Sequence, residues 1–256
     1  MSTTYGTNND IQAPVTVSNI SNIVTNQLRL YYDLARSNSY PGSGAILYDI
    51  SGNNTHATMY NAGGTTYSTL PVGPPTYIKT NLGEFVFDGV NDWGKFTTFT
   101  TTAAFSVSAW VKFTNAGDRG ILSHCSGGPV GESYGFNGGK MFYQYYTNNA
   151  WQAATGTTSV NDGAWKNIVF AKNGTNMVMY INGVQDFTTT LVGSVTSSIN
   201  TIGSKWGPCN SDNYGAGTDS YPVFSGSLAT LMLHTKQLSA SEVLQNYNNL
   251  KSRFGL

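Results

Sequence analysis

Two Asn-Gly steps constrain the middle of the chain more than any other feature. Trp165–Lys172 is rich in strand formers and runs into Asn173-Gly174. Met177–Ile181 follows and runs into Asn182-Gly183. Asn-Gly is favoured where both turn residues need positive φ, the requirement of a two-residue hairpin turn. The pattern therefore predicts three antiparallel strands in a meander. Upstream, Phe105, Val107, Ala109, Val111 and Phe113 alternate with Ser106, Ser108, Trp110 and Lys112. Period two predicts a strand with one buried face. Tyr134–Tyr146 holds two aromatic runs around Asn137-Gly138-Gly139, a further hairpin signal. Short strands are also expected at Glu84–Phe87, Ile121–His124, Ile199–Ile202 and Leu228–His234. Many short strands at such spacing make an all-β sandwich or jelly roll.

Composition excludes several rival classes. Charged residues make up 10% of the chain, against roughly 25% in an average soluble protein. The 13 basic and 13 acidic residues cancel. No basic stripe for nucleic acid is available. No apolar run approaches the roughly 20 residues of a membrane helix, so no membrane insertion is expected. Two cysteines, Cys125 and Cys209, are too few for a disulfide-dense scaffold. They either pair across a loop rim or stay free, and the pairing needs Cα atoms within roughly 7 Å.

One helix is expected, at the C-terminus. Ser239-Ala-Ser-Glu242 reads as a capping box, and Val243, Leu244, Tyr247 and Leu250 recur at helical spacing. The expectation is that it covers one end of the sandwich. Residues 1–27 form a polar N-terminal arm, and residues 28–256 form one domain. Met1–Asn26 lacks a basic start and a continuous apolar run, so no secretion signal is expected. The arm is either a loose tail or an extended segment ordered against a partner subunit. Ile11, Val15, Val17, Ile20 and Ile23 would be the assembly contacts in the second case.

An ordered series of motifs resembles a known family. Leu30–Leu34, Ser39-Tyr-Pro-Gly-Ser-Gly44 and Tyr48-Asp-Ile-Ser-Gly-Asn53 are similar to the opening of a laminin-G-like, concanavalin A-like domain. Phe85–Asp92, Phe105–Val111, Trp165–Phe170 with Tyr180–Gly183, and Phe224–Leu228 with Leu238–Glu242 resemble its later motifs in order. The resemblance implies a jelly roll of two antiparallel sheets packed face to face. The form of the opening motifs looks most like domains carried on bacteriophage virion proteins.

Relatives that hydrolyse β-glucans carry a close Glu-x-Asp-x-x-Glu set, because the reaction needs one protonated and one ionised carboxyl at fixed separation. This chain has Glu84, Glu132 and Glu242, far apart in sequence. No catalytic residue is assigned, and the chain is expected not to be an enzyme. His56, His124 and His234 stand alone, without the spacing of a zinc site. Many relatives hold calcium partly through an Asp of the closing strand, where this chain has Ala229. Calcium usually takes six or more oxygens, so no cofactor is expected; calcium stays open as the disfavoured alternative. Asp49 and Asn53 then read as an Asx turn.

The remaining signal is aromatic and amide-rich. Tyr134, Phe142, Tyr143, Tyr145, Tyr146 and Trp151 belong to one hairpin and its exit. Half of such a hairpin must face inward. A long Gly-rich loop carries Trp206, Asn210, Asp212, Tyr214, Asp219 and Tyr221. Aromatic rings stack on the C–H faces of sugars, and amides and carboxylates take the hydroxyls. Trp151 and these six loop residues are therefore the candidate ligand-binding set. The same surface also suits protein contacts. The expected role is a non-enzymatic virion subunit: a head decoration, fibre or tail-associated protein. It would be assembled in the host cytoplasm and released without a signal peptide. Its partners would be other virion subunits, including copies of itself in a homo-oligomer, and host-surface glycans. The alternatives are a carbohydrate-binding module of a secreted bacterial protein and a glycoside hydrolase.

Overall fold

The computed structural model describes residues 22–61, 74–80, 83–124, 131–193, 196–205 and 223–256. Among the described residues there are sixteen strands: β1 Leu28–Asp33, β2 Ile46–Leu47, β3 Ala57–Asn61, β4 Thr76–Ile78, β5 Glu84–Asp88, β6 Asp92–Thr100, β7 Ala104–Lys112, β8 Arg119–Ser123, β9 Glu132–Asn137, β10 Lys140–Thr147, β11 Ala150–Ser159, β12 Lys166–Asn173, β13 Asn176–Ile181, β14 Val184–Thr190, β15 Ser198–Ile202 and β16 Ser225–His234. Helix α1 (Ala240–Leu250) and a 3₁₀ turn (Lys251–Phe254) close the chain. All strand pairs are antiparallel.

The strands form two sheets. The first runs β14-β13-β12-β7-β16-β5-β4, with β1 also paired to β16. The second runs β11-β10-β9-β8-β15-β6-β3-β2. The expected meander is β12-β13-β14. Asn182 and Gly183 take φ of 51° and 79°, and Gly138 and Gly139 take 61° and 74° at the β9–β10 turn. These are the left-handed values that short hairpins demand. Between the sheets lies one core, in which Phe105, Val107 and Val111 of β7 meet Tyr134, Phe136 and Met141 of the second sheet.

Two expectations are corrected. Strand β7 is buried on both faces, not one. The cause is the C-terminal segment, which lies on the outer face of the first sheet rather than at an end of the sandwich. Trp110 of β7 stacks on Phe254 with ring centroids 3.9 Å apart, and Leu250, Met232 and Tyr31 pack around them. Val243 packs beside Val169 and Tyr180. The capping box forms as expected, between Ser239 and Glu242.

The second correction concerns Ile23, expected among the assembly contacts of the arm. It is buried within its own chain, in the cluster of Trp110 and Leu250, and Val24 is buried beside Val243. The Val24 N–H donates to Asn246 Oδ1 at 2.8 Å, and His234 Nε2 lies 2.9 Å from the Val24 carbonyl. Ile11, Val15, Val17 and Ile20 lie outside the described residues, as do Cys125 and Cys209.

Candidate functional site

Five neighbouring strands of the second sheet end side by side and enclose a cleft of about 290 Å³. Thr100 comes from the end of β6, His124 from the exit of β8, Gly131 from the approach to β9 and Tyr146 from the end of β10. Thr196, Ser197 and Ser198 lead into β15. Four of these seven residues are Ser or Thr, which donate and accept at the same oxygen. Alternation along β10 decides which aromatics serve the cleft. Tyr143 and Tyr145 point into the core, and Phe142 and Tyr146 point outward. The β10–β11 turn is Asn148-Asn149, with φ of 49° and 58°. That tight turn sets Trp151 directly opposite Tyr146 in register. Their rings meet edge to face at 5.2 Å, and Trp151 remains 42% exposed.

The floor of the cleft is wired to a buried ion pair. Thr101 donates its N–H to the Ser197 carbonyl at 2.6 Å and accepts the Ser197 N–H on Oγ1 at 3.0 Å. The same hydroxyl donates to Glu132 Oε1 at 3.1 Å. Lys172 Nζ donates to that oxygen at 2.5 Å, and the Tyr134 hydroxyl donates to Oε2. The His124 N–H donates to the Glu132 carbonyl at 3.0 Å, and the Tyr146 N–H to the Gly131 carbonyl at 3.2 Å. Glu132 and Lys172 point inward from opposite sheets and are 0% and 1% exposed. Burial pulls the Lys172 ammonium below its ordinary range, and Glu132 opposes this. Burial and then the Glu132 charge push the Tyr134 hydroxyl well above its own range, so it stays a donor.

Both Glu132 oxygens are engaged by protein donors, out of reach of a substrate. Glu84 sits on β5 beside Lys112 at 3.4 Å, and Glu242 serves the helix cap and Lys236. Glu84, Glu132 and Glu242 are thus held in three separate structural roles.

Asp49 forms an Asx turn in the opening loop. Asp49 Oδ1 accepts the N–H groups of Tyr31 and Ser51, each at 2.9 Å. Its Oδ2 accepts the Thr55 N–H at 3.0 Å and the Ser51 hydroxyl at 2.9 Å. Asn53 Nδ2 donates to the carbonyls of Leu28 and Arg29. Ala229 is buried among Trp110, Met232 and Tyr31. These contacts fix the Asp49 carboxylate with four protein donors.

Of the seven residues expected to bind ligand, Trp151 stands beside the cleft. Trp206, Asn210, Asp212, Tyr214, Asp219 and Tyr221 lie outside the described residues. Thr100, His124, Gly131 and Thr196–Ser198 were not expected. Short polar residues at strand ends resemble any turn, and nothing local links position 100 to 197.

The comparisons with known proteins agree with this architecture. No curated protein matches the chain. Among solved structures, domain 4 of a GH43 extracellular arabinanase from Geobacillus stearothermophilus, in complex with arabinotriose, is similar with a TM-score of 0.59. Its identity is 18%, with 86% of this chain and 98% of that chain covered. The binding domain of botulinum neurotoxin DC in complex with rat synaptotagmin II gives a TM-score of 0.56 at 16% identity, covering 89% of this chain and 52% of that one. The same toxin's binding domain in complex with SialylT gives 0.58 at 15%, again covering 89% and 52%. This chain therefore spans about half of each toxin chain, and at these identities the likeness is one of fold. The family described as the concanavalin A-like lectin/glucanases superfamily matches residues 88–244, from the last residue of β5 into α1. That span is more than half of the 256 residues and contains the core strands of both sheets, so the chain belongs to the concanavalin A-like lectin/glucanase superfamily.

Proposed function

We propose that the domain binds a saccharide, without hydrolysing it, in the cleft between Tyr146 and Ser197. The observation that carries this reading is a hydroxyl-lined cleft with an exposed indole at its side. Sugars need donors and acceptors for their hydroxyls and an apolar plane for their C–H face. Ser197, Ser198 and Thr100 offer the first, and Tyr146 with Trp151 offers the second. The arabinanase domain, a neighbour in fold, is seen with arabinotriose, which supports a sugar ligand for this architecture.

The similarity of Ser39–Gly44 and Tyr48–Asn53 to virion-borne domains supports a second element of the proposal. The sandwich would display the cleft on a phage particle, as a head decoration, fibre or tail-associated subunit facing host glycans. A secreted carbohydrate-binding module would use the same cleft in a different setting.

A glycan array followed by calorimetry on the best ligand tests the binding role. Trp151→Ala should weaken affinity about tenfold, near 1.4 kcal/mol, with the circular dichroism spectrum unchanged. Absence of binding across neutral and charged glycans would overturn the reading, as would release of reducing ends by the protein. Recovery of the chain outside the particle band of a density gradient would remove the virion setting while leaving the cleft.

A further inference from the structure

The buried pair Glu132–Lys172 has no obvious value as a stabiliser. Taking two charges out of water costs several kcal/mol per ion, and well-packed apolar residues often stabilise as well or better. All the neighbouring inward positions on these strands are apolar or aromatic: Phe170 and Ile168 on β12, Tyr134 and Phe136 on β9. A Leu–Met pair would suit that surrounding. What an apolar pair would not do is accept the Thr101 hydroxyl.

That acceptance has a directional consequence. A carboxylate carries no proton, so the Thr101 hydroxyl must point its hydrogen at Glu132 Oε1. Its lone pairs are then aimed away, and one of them takes the Ser197 N–H at 3.0 Å. With the Thr101 N–H on the Ser197 carbonyl, residue 197 is gripped at both its backbone groups. Ser197 is the centre of the Thr196–Ser198 wall. The Glu132 main chain holds the opposite side, since its carbonyl accepts the His124 N–H. Lys172 holds the carboxylate in place from the other sheet at 2.5 Å.

We propose that Glu132, held by Lys172, is a positioning residue for the cleft, fixing the Thr196–Ser198 wall through the Thr101 hydroxyl so that the serine hydroxyls meet the ligand preorganised. The proposal rests on the saccharide reading of the cleft. Neither charged group touches ligand. A preorganised wall raises affinity by removing the cost of ordering it on binding. The ion pair is thus part of the binding machinery although it lies behind it.

The test separates the hydroxyl from the charges. Thr101→Val keeps the shape of the side chain and removes both hydrogen bonds. Thr101→Ser keeps the hydroxyl. Glu132→Leu with Lys172→Met removes the ion pair and fills its volume. Two measurements are made on each folded variant: affinity for the best array glycan, and amide hydrogen exchange at Ser197 by NMR. Thr101→Val and the double variant should each bind about tenfold more weakly and exchange the Ser197 amide at least tenfold faster. Thr101→Ser should stay within about twofold of the parent on both. Wild-type affinity and protection in Thr101→Val, or in the double variant, would overturn the proposal. If the parent binds no glycan, the saccharide reading falls on that result. The positioning claim is then decided by exchange: fast Ser197 exchange in both variants upholds it, and unchanged exchange rejects it.

Discussion

Asp92 carries the most exposed conflict between charge and burial outside the cleft. Its side chain is 1% exposed on β6. Oδ2 accepts the Asp88 N–H at 2.9 Å, while Oδ1 has no hydrogen-bond partner. Burial pushes its carboxyl up to about 6, the nearby Asp88 charge adds to this, and the Asp88 N–H opposes it. The sign follows from linkage. A carboxyl whose folded value lies above its unfolded value of roughly 3.9 binds the proton more tightly when folded. Stability from this group is therefore highest below pH 4, declines as pH rises toward 6, and is lowest above that. The deficit at neutral pH is about 3 kcal/mol at most, taking 1.36 kcal/mol per unit of difference. Asp92→Asn keeps an acceptor for the Asp88 N–H and removes the charge. Urea unfolding at pH 4.5 and 7.5 should show the variant gaining on the parent at the higher pH, by 1–3 kcal/mol on the order expected from that difference. An equal gap at both pH values would show that Asp92 is not the group in conflict.

At the scale of elements, the segment 22–27 behaves as a strap rather than as part of a tail. Ile23 and Val24 are each 7% exposed. Gln245 and Asn249 of α1 both donate to the Asn22 carbonyl, at 2.6 and 2.9 Å. The Val24 carbonyl can only accept, so His234 Nε2 carries the proton of that 2.9 Å bond. A chain beginning at Gln27 strands His234 and Asn246 and exposes the apolar faces that Ile23 and Val24 cover. It should still fold, but lose about 3 kcal/mol, given roughly 1.5–3 kcal/mol per buried Ile or Val. A chain beginning at Asn22 should match the parent. Thermal melts of both check this, and equal stability of the two truncations would show that the strap contributes nothing. The strap was written in the sequence as isolated apolar residues, but its partners stand over 200 positions away. The Asn182-Gly183 hairpin was legible because Asn-Gly states a local backbone requirement; at the preceding hairpin Asn173 stays in β12, only Gly174 takes a positive φ of 58°, and the turn is shifted by one residue from the expected Asn-Gly pair. Strand β11 was not, because its Ala-Trp-Gln-Ala-Ala-Thr-Gly-Thr-Thr-Ser run lies at a sheet edge and is exposed along most of its length. Without a buried face it shows no apolar alternation. The cleft was illegible for a different reason. Its lining is gathered from positions 100, 124, 131, 146 and 196–198, which only the register of five strands brings together.

At the scale of the whole molecule, a sandwich must dispose of its sheet edges, whose unpaired N–H groups invite other chains to add strands. Strand β11 ends one sheet and β14 ends the other, and both edges lie on the same flank. Asp186 of β14 reaches across the gap between the layers. Its Oδ2 accepts the Thr157 N–H at 2.8 Å and its Oδ1 accepts the Thr158 N–H at 3.0 Å, while the Thr157 hydroxyl donates to the Asp186 carbonyl at 3.3 Å. One carboxylate thus satisfies two successive donors of β11 and ties the two sheets along that flank. Gly156 permits the approach, since a Cβ there would lie 2.7 Å from Asp186 Oδ2. Charge-assisted bonds to backbone N–H are among the stronger hydrogen bonds, and each is worth about 1.5–3 kcal/mol before solvent exposure reduces it. Asp186→Ala should therefore cost about 2 kcal/mol in urea unfolding. It should also free the Thr157 and Thr158 N–H groups to pair with another molecule. Static light scattering over a concentration series should then show association in the variant that the parent lacks at the same concentration. Asp186→Asn, which retains one acceptor and gains donors that β11 has no use for, should fall between the two. If the alanine variant is as stable and as monodisperse as the parent, β11 needs no such seal, and the exposed Thr-rich face of the strand must itself be enough to keep neighbours away.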